Sequence, residues 1–305
     1  MLSPDKIYFT QIVDPGGTNG ASTRHTSLIP SAMTHHARSN TIATALLCTM
    51  VACACMKEAT AQRRPRLAAR RAVTPISPVV QVLRVAQSVA PQSPSAGEPA
   101  ANAATARVMS QLEEIESTLR TAHYRHDTSV NVAQGRYDFD CSGMIAWVLA
   151  RTAPTAHRAT LAHSGGSRPL AADYARHILR VADDNRAHDG WRRVARVEDA
   201  RPGDILAWIK PRIVRSNNTG HIGFVVGQPV RSSTVENGWL VRIADSSSYQ
   251  HQDDSREGTN RTGFGRGTLL ITADPSTGVP RAFGWFGENS SWILETAIAI
   301  GRPVR

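Results

Sequence analysis

The stretch Tyr137-Asp138-Phe139-Asp140-Cys141-Ser142-Gly143-Met144-Ile145 decides how the chain is read. Asp140 has the short acidic side chain that accepts from the free N–H groups of a helix start, and Met144, Ile145, Trp147 and Val148 supply an apolar side. A helix therefore begins at Cys141, with the thiol in its first turn. Unpaired N–H groups and the positive dipole end favour a thiolate there, and Ser142 and Gly143 are small enough to let another backbone approach. Upstream, Val108, Leu112, Ile115 and Leu119 recur at three- and four-residue steps, which predicts a helix over 106–122. The polar run 123–140 between the two reads as a loop. A third helix is expected near 170–182, carrying Tyr174, Ile178, Leu179 and Val181.

After this the period changes. Arg201-Pro202-Gly203-Asp204 is turn chemistry running into the apolar stretch 205–209, and strands are expected at 221–227 and 239–245. Further candidates are 268–272, 281–285 and 292–300, the last ambiguous with helix. Helices first and strands later predict an α+β domain with helices on an antiparallel sheet.

The chain has 305 residues, 41% hydrophobic and 20% charged, a globular composition. No apolar run reaches the roughly 18 to 20 residues of a spanning helix, so no integral membrane span is expected. The net charge of +10 is concentrated outside the helix-and-strand region. Residues 1–105 carry ten Lys/Arg and four Asp/Glu, whereas 106–305 carry 25 and 21, leaving +4. With no aromatic and basic stacking motif, nucleic acid is not an expected partner.

Residues 41–55 are almost uncharged and follow His35, His36 and Arg38, with Ala59-Thr60-Ala61 beyond them. This is the pattern of an export signal, so 1–61 read as an over-long start plus signal peptide and the protein as extracytoplasmic. Residues 62–105, rich in Pro, Ala and Arg, read as a linker, and 106–305 as the folded domain. Cys48, Cys53 and Cys55 lie in or beside the apolar run, so cleavage after Ala61 leaves Cys141 as a lone thiol. Retention of Cys53 as a lipid-bearing residue is the alternative.

A nucleophilic thiol needs a base. His221 opens a predicted strand after Asn218-Thr219-Gly220, and Asp245 ends the next one. If the two strands pair, the carboxylate falls near the imidazole and can orient it. His251 is the rival third residue. The polar run His251-Gln252-Asp253-Asp254 reads as surface, and Trp208, Trp285 and Trp292 as core. No metal or other cofactor is expected.

Tyr137 to Ile145, together with Arg201-Pro202-Gly203-Asp204-Ile205-Leu206 and Gly220-His221-Ile222-Gly223-Phe224-Val225-Val226-Gly227, resembles the NlpC/P60 family of cell-wall cysteine peptidases over about 106–250. The resemblance implies a papain-like fold, Cys141 as nucleophile, His221 as base, and hydrolysis of amide bonds in peptidoglycan stem peptides. Asp245 would be the third member of the site, and Tyr124, Ser142 and Gly220 the substrate-binding residues of a monomer. Acyl transfer, another amidase activity, and a non-catalytic envelope binding protein are the alternatives. The 80 residues between Cys141 and His221 exceed the family's usual interval, and the third helix with Gly190-Trp191 is expected to fill the excess and reshape the cleft.

Overall fold

A computed structural model describes residues 100–165 and 168–304; the expected signal peptide and nearly all of the linker lie outside the described residues. Helix α1 spans Ala103–Thr118, earlier than the apolar stripe suggested. Asn102 starts it, accepting the N–H groups of Ala104 and Thr105 on Oδ1 while the Thr105 hydroxyl accepts the Asn102 N–H. The expected loop contains three short strands, β1 (Thr121–His123), β2 (Ser129–Asn131) and β3 (Arg136–Asp138). β3 lies between the other two, parallel to β1 and antiparallel to β2. Strands of three residues carry too little alternation to register as a period, and the polar composition hid them.

Helices α2 (Cys141–Thr152), α3 (Pro154–His163) and α4 (Ala171–Arg180) follow. The sequence offered no apolar stripe for α3, because only Ala156 and Thr160 are buried on it. Proline at its first position restarts the helix directly after α2. Trp191 anchors α3, its indole N–H reaching the Ala156 carbonyl at 2.9 Å and the Thr160 hydroxyl at 3.1 Å.

The remaining strands are β4 (Trp191–Val194), β5 (Ile205–Ile209), β6 (Gly220–Val225), β7 (Val230–Arg231), β8 (Gly238–Ser247), β9 (Gly263–Ala273), β10 (Pro280–Gly284), β11 (Leu294–Glu295) and β12 (Ile298–Pro303). They form one antiparallel sheet in the order β11-β10-β9-β8-β6-β5-β12-β4, with β7 paired to β8. The ambiguous segment at 292–300 resolves into strand.

Ile205, Ala207, Ile222, Phe224 and Ala244 meet Met144, Ile145 and Val148 of α2 in one core. Leu206, Trp208, Val225, Ile243 and Leu269 form a second core with Phe283 and Ile300. Strand β10 also contacts β12, so the sheet curls over this second core. The domain is therefore α+β, with four α-helices among the described residues. No helix of the described residues is long and apolar enough to cross a membrane.

His177 of α4 is a pH-sensitive point of this packing. It is 3% exposed, neither ring nitrogen has a hydrogen-bond partner, and its ring lies 4.4 Å from that of His163. Burial, with His163 adding to it, pushes its pKa down to about 4. The unfolded chain takes up this proton below pH 6.5 and the folded chain only near pH 4, so stability present above 6.5 is lost as the pH falls through that window. Exposed His163 lets solvent screen the site, and the expected loss is roughly 1 to 2 kcal/mol. Thermal denaturation between pH 7 and 4 should show it, and His177→Leu should flatten the slope.

Candidate active site

The end of β3 and the start of α2 place the thiol. Asp140 caps the helix, its Oδ1 accepting the Gly143 N–H at 2.6 Å and the Ser142 hydroxyl at 3.1 Å. Arg168 clamps the same carboxylate with two bonds of 2.7 and 2.9 Å and donates to the Ser142 hydroxyl at 2.8 Å. Burial acts to raise the Asp140 pKa, but the Arg168 hydrogen bond, the Gly143 N–H and the Arg168 charge outweigh it and hold the carboxyl below its usual range. Gly143 is required sterically, since a Cβ there would stand 2.5 Å from the Thr128 hydroxyl. The Asp-Cys-Ser-Gly element is thus a helix start locked by a guanidinium.

Cys141 is the free cysteine of the described residues and is 6% exposed. Its sulfur lies near the backbone N–H groups of Ser142 and of Ile222 in β6, and it packs in one core with Ile222, the residue after His221. Burial pushes the thiol pKa up, and the anions Asp140 and Asp245 add to it; the two N–H groups oppose this and lose. The thiolate expected from the helix start is therefore corrected to a resting thiol. The dipole of one helix turn does not offset the removal of water.

Gly220 sets up His221. Its φ is +153°, and a Cβ would collide with the Trp208 carbonyl oxygen where β5 and β6 pair. His221 is 7% exposed, with its ring between Trp208 and Trp285 at 5.1 and 4.8 Å. Its Nε2 is 2.6 Å from Asp245 Oδ2. Burial lowers the His221 pKa, and the Asp245 hydrogen bond and charge only partly restore it, so the ring rests neutral. With the Nε2 proton donated to the carboxylate, Nδ1 carries the lone pair that can take a proton.

Asp245 is fully buried, and its Oδ2 is shared. His251 Nε2 lies 2.9 Å from the same oxygen, so the two candidates for third residue act together. His251 Nδ1 stands 3.2 Å from the Trp285 carbonyl, which can only accept. That carbonyl orients the His251 ring through Nδ1 while Nε2 faces the carboxylate. Burial would raise the Asp245 pKa, yet the His251 charge and both imidazole hydrogen bonds hold it far below the ordinary carboxylate value.

Of the run 251–254 read as surface, His251, Gln252 and Asp254 are buried and Asp253 is exposed. Arg256 is buried too, and it pairs with Asp254 through bonds of 2.8 and 2.7 Å. It also donates to the carbonyls of Ser247 and Gly263. Gly265 and Gly267 of β9 make room, since a Cβ at either would meet Arg256 or His251. A charged run beside a glycine-alternating strand, Gly263-Phe264-Gly265-Arg266-Gly267, was the available signal for this arrangement.

A cavity of about 860 Å³, counting the space open to solvent, adjoins His221 and is lined by Tyr124, Gly220, Trp208, Trp285 and Trp292 among others. Trp208 belongs to the second core as expected, with Trp285 and Trp292 packed against that core, and all three also line the cavity. Tyr124 and Gly220 line the cavity with His221, whereas Cys141 and Ser142 do not, and the Ser142 hydroxyl is spent on Asp140 and Arg168.

The donor atoms of His221, Asp245 and His251 lie within 4.8 Å of one another, a set that a divalent ion could in principle use. Ligands about 2.0–2.1 Å from a tetrahedral zinc stand roughly 3.3 Å apart. The observed 2.6 and 2.9 Å are hydrogen-bond spacings.

No family model, curated protein or solved structure matches the chain. The site's own geometry carries the argument. Removing the shared carboxylate leaves two imidazoles without their anion in a dry interior, so Asp245→Ala should cost about 3 kcal/mol or more in chemical denaturation. Asp245→Asn should cost less, because the amide oxygen still accepts one imidazole N–H.

Proposed function

We propose that this chain is a cysteine amidase of the NlpC/P60 type, with a papain-like arrangement of helix and sheet, acting on amide bonds in peptidoglycan stem peptides. One observation carries the reading. A capped helix start presses a lone thiol against the strand whose histidine is held by a buried carboxylate at 2.6 Å.

In this reading the thiol is protonated at rest. As Cys141 Sγ attacks the amide carbonyl carbon, His221 Nδ1 takes its proton, and Asp245 stabilises the imidazolium through Nε2–H. The Cys141 amide hydrogen at the start of α2 is the donor for the developing oxyanion, since the Gly143 N–H is held by Asp140 and the Met144 N–H by the Asp140 carbonyl. The carbon–nitrogen bond then breaks, the amine leaving with the proton from His221 and a thioester remaining on Cys141. Water, deprotonated by His221, releases the acid and restores the thiol. An amine replacing that water would make the same site an acyltransferase. Action outside the cytoplasm is part of the proposal, resting on the export pattern in the sequence.

Cys141→Ala should abolish release of peptide fragments from purified peptidoglycan while the protein remains folded, and a chelator should leave the wild-type rate unchanged. Undiminished release by the variant would overturn the reading; chelator-sensitive release would move the chemistry to an ion at His221, Asp245 and His251. Because the His221 pKa lies below its ordinary 6.5, the acid limb of kcat/KM should fall below that pH. Iodoacetamide should modify Cys141 more slowly than free cysteine at pH 7, and more slowly still in His221→Ala.

A further inference from the structure

The cavity beside His221 has an unmatched cation on its wall. Among the described residues lining it there is no aspartate or glutamate, and Lys210 is the one lysine or arginine. The half-buried Lys210 ammonium donates to the Ser216 carbonyl, which occupies one of its three N–H groups and neutralises none of its charge. No carboxylate of the described residues pairs with it. Ser216 lines the same cavity, and its hydroxyl oxygen is buried without a hydrogen-bond partner. Ammonium and hydroxyl together call for an acceptor, and a carboxylate offers two oxygens. The connection 210–219 from β5 to β6 adds to the field, because it carries Lys210, Arg212 and Arg215 and no acidic residue. Arg212 and Arg215 are exposed and do not line the cavity, so they attract an anion without holding it there.

The backbone fixes Lys210 close to the base. Trp208 pairs with His221 and Ile209 with Gly220, and the Lys210 N–H then donates to the Thr219 carbonyl at 2.9 Å. Lys210 thus stands two residues along β5 from the partner of His221. Trp208, Phe283, Trp285, Phe286 and Trp292 supply apolar walls on which methylene groups can lie. His221 lines the cavity and Cys141 does not, so what the cavity holds is a part of the substrate beyond the carbonyl under attack.

We infer that Lys210, with the Ser216 hydroxyl, anchors a free carboxylate of the peptide substrate, while the methylenes that bear this carboxylate lie on the tryptophan and phenylalanine rings. The inference rests on the amidase reading for the class of substrate, and it deepens that reading. Stem peptides carry free carboxylates on short aliphatic arms, and the cavity selects such peptides over their amidated counterparts. A carboxylate leaving water for apolar walls needs a cation at close range, so the preference stands or falls with the Lys210 charge.

Three of the six tryptophans line the cavity, so intrinsic fluorescence reports its occupancy. The experiment titrates full-length Cys141→Ala protein, which leaves peptides intact, with L-alanyl-γ-D-glutamyl-L-lysine and with the same tripeptide carrying carboxamides in place of its free carboxylates. The acid should bind saturably and about tenfold or more tightly than the amide. Adding Lys210→Met should bring the acid down to the affinity of the amide and leave the amide unchanged. Should that variant fail to fold, Lys210→Gln, which keeps an N–H for the Ser216 carbonyl without the charge, should show the same loss. Equal affinity for acid and amide before Lys210 is changed, or a preference for the acid that survives without the lysine charge, would overturn the anchor. Binding does not require turnover, so the two readings fail separately. Equal affinities alongside Cys141-dependent release from peptidoglycan sink the anchor alone; a Lys210-dependent preference alongside Cys141-independent release sinks the amidase reading alone.

Discussion

The arrangement around the site depends on one oxygen atom. Asp245 Oδ2 lies between two imidazole nitrogens at 2.6 and 2.9 Å, in a carboxylate with no exposure to water. An ionised carboxylate in such surroundings is tolerable only when its charge is matched at close range. Both imidazoles hydrogen-bond Asp245 Oδ2, and the Arg256 guanidinium stands 3.9 Å from the other oxygen. The requirement propagates outward. His251 is fixed by the Trp285 carbonyl, and Arg256 is fixed by Asp254 and two backbone carbonyls. The segment carrying them fits only because β9 has glycine at 265 and 267. The Asp245 carboxylate, through its 2.9 Å contact with His251, thus ties down the segment of 15 residues between β8 and β9.

The same burial defines the resting state of the thiol and the imidazole. A thiolate and imidazolium pair would put two further charges beside Asp140 and Asp245, in a space from which water is nearly excluded. Desolvation raises the thiol pKa and lowers that of His221, so both groups rest neutral. In the proposed reaction, proton transfer accompanies attack on the substrate. The arrangement costs intrinsic thiol reactivity and protects a lone cysteine from casual oxidation, because the thiolate is the oxidisable form.

What could be read from the sequence was local. Asp140 as a cap and Cys141 as the first helical residue follow from four adjacent residues. His221 and Asp245 follow from two recognisable strands whose antiparallel pairing returns the chain to the same end of the sheet. What could not be read depended on distant partners. Polar residues 251–256 look solvated until Asp245 and the glycines of β9 are placed beside them. Trp208, Trp285 and Trp292 are core residues by composition and by packing, but the cavity they also line exists only once the sheet curls. Helix α3 lacks an apolar stripe because it is held by a single indole, Trp191, which arrives 35 residues after Ala156.

The long interval between Cys141 and His221 takes on a different meaning in this light. It was expected to reshape the cleft, yet among the described residues lining the cavity none comes from 125–207. Helix α4 packs instead on β5 and β12, giving Tyr174, Ala175 and Ile178 to the first core, and Trp191 joins α3 to β4. The interval reaches the site through Arg168, whose guanidinium holds both oxygens of the Asp140 cap and the Ser142 hydroxyl. That contact fixes the turn on which the sulfur sits without touching the sulfur. The extra chain therefore braces the nucleophile from the rear and leaves the shape of the cavity to the strands and loops after His221.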